Sequence, residues 1–273
     1  MARKLTLIAG SGQIVPTLLP ALRARGEELQ VIDLVGRDDL DVPGLEHIPL
    51  AEAERLMAAL RRFRPSHLVM AGGVHISEAE RRGLAAAFGP VGRLARSLGD
   101  LGLAGLIVLQ ARLMRIKLVG AHEVLPELIA PEGLIAGPEM DATGWAAARR
   151  AIDVARAIGA TDLGQAVVLS GKRPVAAEDA AGTDALLERV AALRASGLIG
   201  DAKVPLVLAK ALKPRQPTFA DLPSIGPTTI GNAAASGIGI VAVEAGRSLL
   251  IERAQIIDAA NAAGISVVGV RHG

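Results

Sequence analysis

The sequence predicts an α/β protein of two domains, the first built on a parallel sheet. Three observations carry that expectation. Apolar strand-like runs alternate with segments of helical spacing along all 273 residues. The strand runs are continuously apolar rather than alternating, as in a sheet covered on both faces. The pattern weakens once, in "GAHEVLPELIAPEGLIAGPEM", which holds prolines 126, 131 and 138 and glycines 120, 133 and 137. A length of 273 residues suits two domains of ordinary size. The expected division is residues 1–125, a linker at 126–138, and residues 139–273.

The elements come in order. "KLTLIAG" reads as a buried strand. "SGQ" then leads into the helix "PTLLPALRARG", with Pro16 in its first turn and Gly26 as its stop. "LQVIDLV" is the second strand, and "AEAERLMAALRRF" spaces its leucines and methionine as a helix does. "SHLVMAGGV" is a third strand ending in glycines. "SEAE", Ser77 to Glu80, resembles a capping box. A leucine-rich helical region runs to about Lys117. In the second half, "ATGWAAARRAIDVARAIG" is a helix and "QAVVLSGKRPVAAED" a hairpin turning at Ser170–Lys172. "GTDALLERVAAL" enters a helix with Thr183 or Asp184 as N-cap. Strand "VPLVLA", helix "PTTIGNAAASG", strand "IGIVAVEAG", helix "RAQIIDAANAAG" and strand "ISVVGV" complete the chain.

Composition excludes several function classes. No cysteine is present, so disulfides, zinc–thiolate sites, iron–sulfur clusters and thiol nucleophiles are excluded. Any metal must be held by Asp, Glu, His or phosphate oxygens, which suits a hard ion such as Mg²⁺. Aromatic residues make up 1% of the chain, too few for stacking platforms on single-stranded nucleic acid. The net charge is +2, with no basic block, so no nucleic-acid partner is expected. The apolar N-terminal run is broken by Gly10, Ser11, Gly12, Gln13 and Pro16, as a strand and loop would be and a signal peptide would not. No charge-free apolar stretch is long enough to span a bilayer. The protein is expected to be soluble and intracellular.

Four places offer chemistry. "AGSGQIV" comes after the first strand, where Gly10, Ser11 and Gly12 can present backbone N–H groups to a phosphate. Val15 stands where the full dinucleotide fingerprint wants a third glycine, and Asp33 lies where a ribose-binding acid would sit. Gly72 and Gly73 end the third strand, at the sheet edge where ligands bind in open α/β folds. "AHE" sets His122 beside Glu123 near the domain junction; His75 is alone. "GTDA" can cap its helix with Thr183 or Asp184, or offer a hydroxyl and N–H groups to a phosphate.

The fourth place is "KALKPRQPTFADLPSIGPTTI", Lys210 to Ile230. It holds four prolines, the cations Lys210, Lys213 and Arg215, and one carboxylate, Asp221, with Gln216 between. Cations that neutralise two phosphates, with an acid that holds Mg²⁺ or orients water, are what phosphoryl transfer requires. The prolines stiffen the loop, which favours positioning.

This segment resembles the signature of the LpxI-type UDP-2,3-diacylglucosamine pyrophosphatases. So do "LIAGSG", "GAHEV", "DLGQAVV", "AAEDAAGTDALLERV" and "VEAGRSLLI", in order over nearly the whole chain. The resemblance implies a Rossmann-like first domain and a family-specific α/β second domain carrying the chemistry. It implies hydrolysis of UDP-2,3-diacylglucosamine to UMP and 2,3-diacylglucosamine 1-phosphate, lipid X, in lipid A synthesis. Water would attack the uridine-side phosphorus with a divalent metal, Mg²⁺ or another. The family's essential aspartate falls on Asp221, which would hold the metal. Its lysines fall on Lys210 and Lys213, and its threonine on Thr183. Asp184, Gln216 and the glycine loops would contact substrate. The chain departs from the family pattern at Phe219, Gly73 and Ser11. A cytoplasmic protein in peripheral contact with the inner membrane is implied, and a homodimer is compatible with it. Two other classes remain open on the residues alone: a nicotinamide-dependent oxidoreductase using "GSGQIV", and a non-catalytic lipid- or nucleotide-binding protein.

Overall fold

The computed structural model describes residues 3–74, 77, 83, 99–200, 204–214 and 222–272, with the side chains of 99–104 and 106 excepted. The chain divides into two compact units between Pro126 and Glu127.

The first unit contains β1 (Lys4–Ala9), α1 (Ile14–Ala24), β2 (Glu28–Asp33), β3 (Glu46–His47), α2 (Ala53–Phe63), β4 (His67–Ala71), α3 (Gly99–Leu113), β5 (Lys117–Val119) and α4 (Ala121–Val124). Its sheet runs β3-β2-β1-β4-β5 with every pairing parallel. The two-residue period of a strand explains why both faces are covered. Leu5, Leu7 and Ala9 pack with Val15, Leu18 and Leu22 of α1. Ile8 and Ile32 pack with Ala59 and Leu60 of α2. Thr6 interrupts the apolar run but is satisfied, its hydroxyl donating to Gln30 Oε1 at 2.8 Å. The capping box read at 77–80 and the lone His75 lie outside the described residues, Ser77 excepted.

The second unit contains β6 (Gly133–Ala136), α5 (Ala142–Gly159), β7 (Ala166–Ser170), β8 (Arg173–Ala177), α6 (Gly182–Ala195), β9 (Leu206–Lys210), β10 (Ser224–Ile225), α7 (Pro227–Ala235), β11 (Ile238–Glu244), β12 (Leu249–Leu250), α8 (Arg253–Ala263) and β13 (Ser266–Val270). The sheet order is β6-β13-β11-β9-β7-β8. β9, β11 and β13 run parallel in the centre. β6 and the β7–β8 hairpin add antiparallel edges. Val207, Ala209, Ile240 and Ala242 face α5 through Ala148, Ala151, Ile152 and Ala155. Leu206, Leu208, Val241 and Val243 face the other way, onto Leu187, Ile230 and Ile256 of α6, α7 and α8.

Of the segment 126–138, read as a linker, residues 127–138 belong to the second unit. Its residues 133–136 form β6, which pairs with β13. The turn residues that suggested a linker bound an edge strand instead: φ is 102° at Gly133 and 84° at Gly137.

Candidate functional site

The parallel strands of the second unit end along one edge, and the charged residues collect there. In the sheet register Lys210, the last residue of β9, lies beside Val243, and Glu244, the last of β11, beside Val270. Alternation decides where Lys210 points. Leu206 and Leu208 face the α6 side, so Lys210 does too. It is 6% exposed, yet its Nζ donates to Thr183 Oγ1 and to the Ser224 carbonyl, both at 3.0 Å.

Thr183 is not the N-cap the sequence suggests. α6 begins at Gly182 and Ala181 precedes it without a side-chain cap. The Thr183 hydroxyl is engaged elsewhere, donating to Glu178 Oε1 at 2.6 Å. Asp184 does not cap either; its Oδ1 accepts from Asn232 Nδ2 at 2.9 Å. Glu178 is 7% exposed, and its other oxygen accepts from the Gln165 N–H at 2.7 Å. Sequence reasoning did not single out Glu178. Its signal was available in "VAAED", an acid directly after the apolar end of a hairpin strand.

Lys213 lies three residues on and pairs with Asp162 at 2.9 Å. The backbone between the two lysines is pinned: Leu212 N–H donates to Glu244 Oε2 at 3.0 Å. Glu244 Oε1 in turn receives Arg156 Nη1 from α5 at 2.7 Å. Arg156, Glu244 and Asp162 were also missed by sequence reasoning. Of these, only Glu244 left a local trace, as an acid ending the apolar strand "IGIVAVE".

In the first unit the two glycine loops meet. Ser11 and Gly73 form an antiparallel bridge, with Ser11 N–H donating to the Gly73 carbonyl at 2.8 Å and Gly73 N–H returning to Ser11 at 3.1 Å. The approach excludes side chains: a Cβ on Gly10 would stand 2.5 Å from Gly73 O, and one on Gly72 2.4 Å from Ser11 O. Close loop packing thus accounts for Gly10 and Gly72. Gly12 has open space around it and a φ of 90°. Arg37 Nη1 donates to the carbonyls of Gly10 and Gly12 at 2.8 and 2.9 Å. Its guanidinium also binds Asp39 and holds that carboxyl below its ordinary value.

Asp33, read as a ribose-binding acid, is occupied. Its oxygens accept from the N–H groups of Val35 and Arg37 at 2.9 and 2.7 Å, and His47 adds a contact at 3.2 Å. Glu123 is occupied too. Its Oε1 accepts from Gly120 N–H at 2.9 Å and closes the short α4, rather than pairing with His122.

Asp221, Gln216, Arg215 and Phe219 lie outside the described residues. Among the described residues no three His, Asp or Glu side chains gather as a metal site would. Glu178, Glu244 and Asp162 are each committed to protein donors. No helix among the described residues is long and apolar enough to cross a membrane.

Two family models match the chain. The LpxI N-terminal domain matches residues 4–128 and the LpxI C-terminal domain residues 131–268. The UDP-2,3-diacylglucosamine pyrophosphatase LpxI of Caulobacter vibrioides is 35% identical over 279 residues, covering 98% of both chains. A crystal structure of UDP-glucose 4-epimerase from Thermus thermophilus with NAD is 17% identical. It covers 98% of this chain and 86% of that one at a TM-score of 0.32, too low to establish a common fold.

Proposed function

The chain belongs to the LpxI family, and on that premise we propose that it hydrolyses the pyrophosphate of UDP-2,3-diacylglucosamine, giving UMP and 2,3-diacylglucosamine 1-phosphate. The structural observation that carries this reading is the lysine edge. Lys210 and Lys213 leave a central strand together, and each is held by a partner, Thr183 or Asp162. Two fixed cations at the carboxyl edge of a parallel sheet suit a diphosphate, whose charge grows on the leaving oxygen as the P–O bond breaks.

The roles come from the side chains. Lys210 and Lys213 neutralise the diphosphate. Asp221, the family's aspartate by resemblance, would orient the attacking water and would be the residue to hold Mg²⁺. Thr183 supplies a hydroxyl that accepts from Lys210, its own proton being committed to Glu178. Gln216 and Asp184 lie on the same two segments and contact the substrate's polar groups. The N–H groups of Gly10, Ser11 and Gly73 are already given to Ala71, Gly73 and Ser11, so the nucleotide is received by Gly12 and the N–H groups that follow it at the start of α1, with Gly72 keeping the two loops close. Mg²⁺, which binds readily through one or two carboxylates plus substrate phosphates, would supply charge neutralisation at the diphosphate.

The acyl chains require apolar surface. Ile107, Leu109 and Leu113 of α3 are exposed and suit that purpose. Leu186 and Leu187 of α6 do not serve it, because they are spent in the core with Val190. A cytoplasmic protein that draws its substrate from the inner leaflet by peripheral contact fits this reading. The nicotinamide-dependent alternative is disfavoured by Asp33, whose oxygens already serve its own loop.

The test is incubation of the purified chain with UDP-2,3-diacylglucosamine and Mg²⁺, followed by chromatography for UMP. Release of UMP in step with lipid X is expected. A folded protein that binds the substrate and releases no UMP would overturn the hydrolase reading in favour of a binding protein.

A further inference from the structure

We propose that Glu178 is a positioning residue for the hydrolysis: it fixes the proton of the Thr183 hydroxyl and so makes Thr183 the acceptor that holds Lys210 Nζ in place for the diphosphate. The proposal rests on the function assigned above and adds a residue to it. A hydroxyl carries one proton. Thr183 donates it to Glu178 Oε1 across 2.6 Å, the short distance of a charge-assisted bond. Toward Lys210, 3.0 Å away, Thr183 can therefore only accept.

Lys210 has three N–H donors. One goes to Thr183 Oγ1 and one to the Ser224 carbonyl. The third has no partner among the described residues and is free for a phosphate oxygen. The two fixed bonds set its direction.

Glu178 is itself held on both oxygens. The Gln165 N–H takes Oε2 at 2.7 Å. The chain at Gly164 lies against Glu178 so closely that a Cβ there would stand 2.4 Å from the Glu178 carbonyl oxygen. A carboxylate this buried is costly unless its bonds are made, and removing one partner leaves the others mis-set. Its compensating cation among the described residues is Lys210, one hydroxyl away. The series Gln165 N–H, Glu178, Thr183, Lys210 thus has each donor matched to an acceptor, with the carboxylate accepting at both ends.

Glu178→Gln breaks that match. The amide keeps its oxygen toward the Gln165 N–H and turns its NH₂ toward Thr183. The Thr183 proton is then released toward Lys210, donor against donor. The variants are Glu178→Gln, Thr183→Val and the double variant, with thermal melting as the check on folding. Two readouts are taken: kcat and KM for UDP-2,3-diacylglucosamine, and labelling of Lys210 by a small amine-reactive acylating reagent, read by mass spectrometry against exposed Lys172. Expected are a kcat loss of roughly 10–100-fold in Glu178→Gln with a smaller change in KM, faster labelling of Lys210, and a double variant no worse than Thr183→Val. Thr183→Ser, which keeps the hydroxyl, recovers the labelling protection that Thr183→Val loses. A folded Glu178→Gln with unaltered kcat and unaltered Lys210 labelling overturns the proposal, as do losses that multiply in the double variant. If Glu178→Gln does not fold, Thr183→Val carries the test: it breaks the same link, and unaltered labelling of Lys210 there overturns the proposal. The labelling readout is independent of turnover. A parent chain that releases no UMP sinks the proposed function, while the labelling pattern still decides whether Glu178 governs Lys210.

Discussion

Arg156 and Glu244 form an ion pair of 2.7 Å, with their side chains only 16% and 3% exposed. The pair joins α5 to the end of β11, and the second oxygen of Glu244 accepts from Leu212 N–H between the two lysines. Glu244→Ala strands the Arg156 charge and the Leu212 donor together. Breaking a buried pair from one side costs about 3–5 kcal/mol. Denaturant unfolding is expected to show a loss of that order, with reduced turnover from the molecules that remain folded. Glu244→Gln, which retains an acceptor for Leu212, is expected to fall between parent and alanine variant.

Asp221→Ala is expected to lower kcat by roughly 10²–10⁴-fold, the range for single positioned acid–base or electrostatic groups. Substrate affinity persists through Lys210 and Lys213, and the melting curve is unmoved. Turnover and melting are measured on the same preparation. UMP release at the parent rate from folded Asp221→Ala removes it from the mechanism.

Lys213→Ala acts on the ground state as well as on the barrier. A hydrogen bond to a charged group contributes about 1.5–3 kcal/mol, so KM is expected to rise roughly tenfold or more while kcat also falls. Asp162→Asn, which suits the left-handed φ of 63° at that position, tests the support of Lys213 without disturbing the backbone. Its effect on KM is expected to have the same sign and a smaller size.

The bridged glycine loops give a stability prediction. Gly72→Ala sets a Cβ 2.4 Å from Ser11 O, in a backbone conformation with φ of 91°. Gly12→Ala meets the unfavourable φ alone, about 1–2 kcal/mol, because nothing lies within 4 Å. Thermal melting is expected to rank Gly72→Ala below Gly12→Ala. Equal melting temperatures would contradict the bridge between Ser11 and Gly73.

Exposed Leu113 is predicted to matter for lipid and not for folding. Leu113→Asp is expected to reduce cosedimentation with anionic vesicles and to raise KM for the acylated substrate. The melting temperature should hold, since a surface change usually costs within about 0.5 kcal/mol. Cosedimentation equal to the parent's would remove α3 from the lipid reading.

The sequence by itself determined the alternation of strands and helices, the two-unit α/β plan and the hairpin around Gly171. It also determined the lysine-bearing loop and the motifs that mark the family. These are local features: a continuous apolar run reads as a covered strand, and the spacing of Leu19, Leu22 or Ile152, Ala155 reads as a helix face, whatever lies elsewhere. The tertiary structure decided what each charged residue does. Arg156 reaches Glu244 across 88 positions, Lys213 reaches Asp162 across 51, and Lys210 reaches Thr183 across 27. No periodicity of 2 or 3.6 encodes such pairs. They exist because β9 and β11 end at one edge and α5 and α6 flank it on opposite faces. The same reason explains the misreadings. Thr183 and Asp33 look free along the chain because a capping residue and a bonded one carry the same side chain. Only when Glu178 closes on Thr183, and the Arg37 loop on Asp33, are their oxygens spoken for.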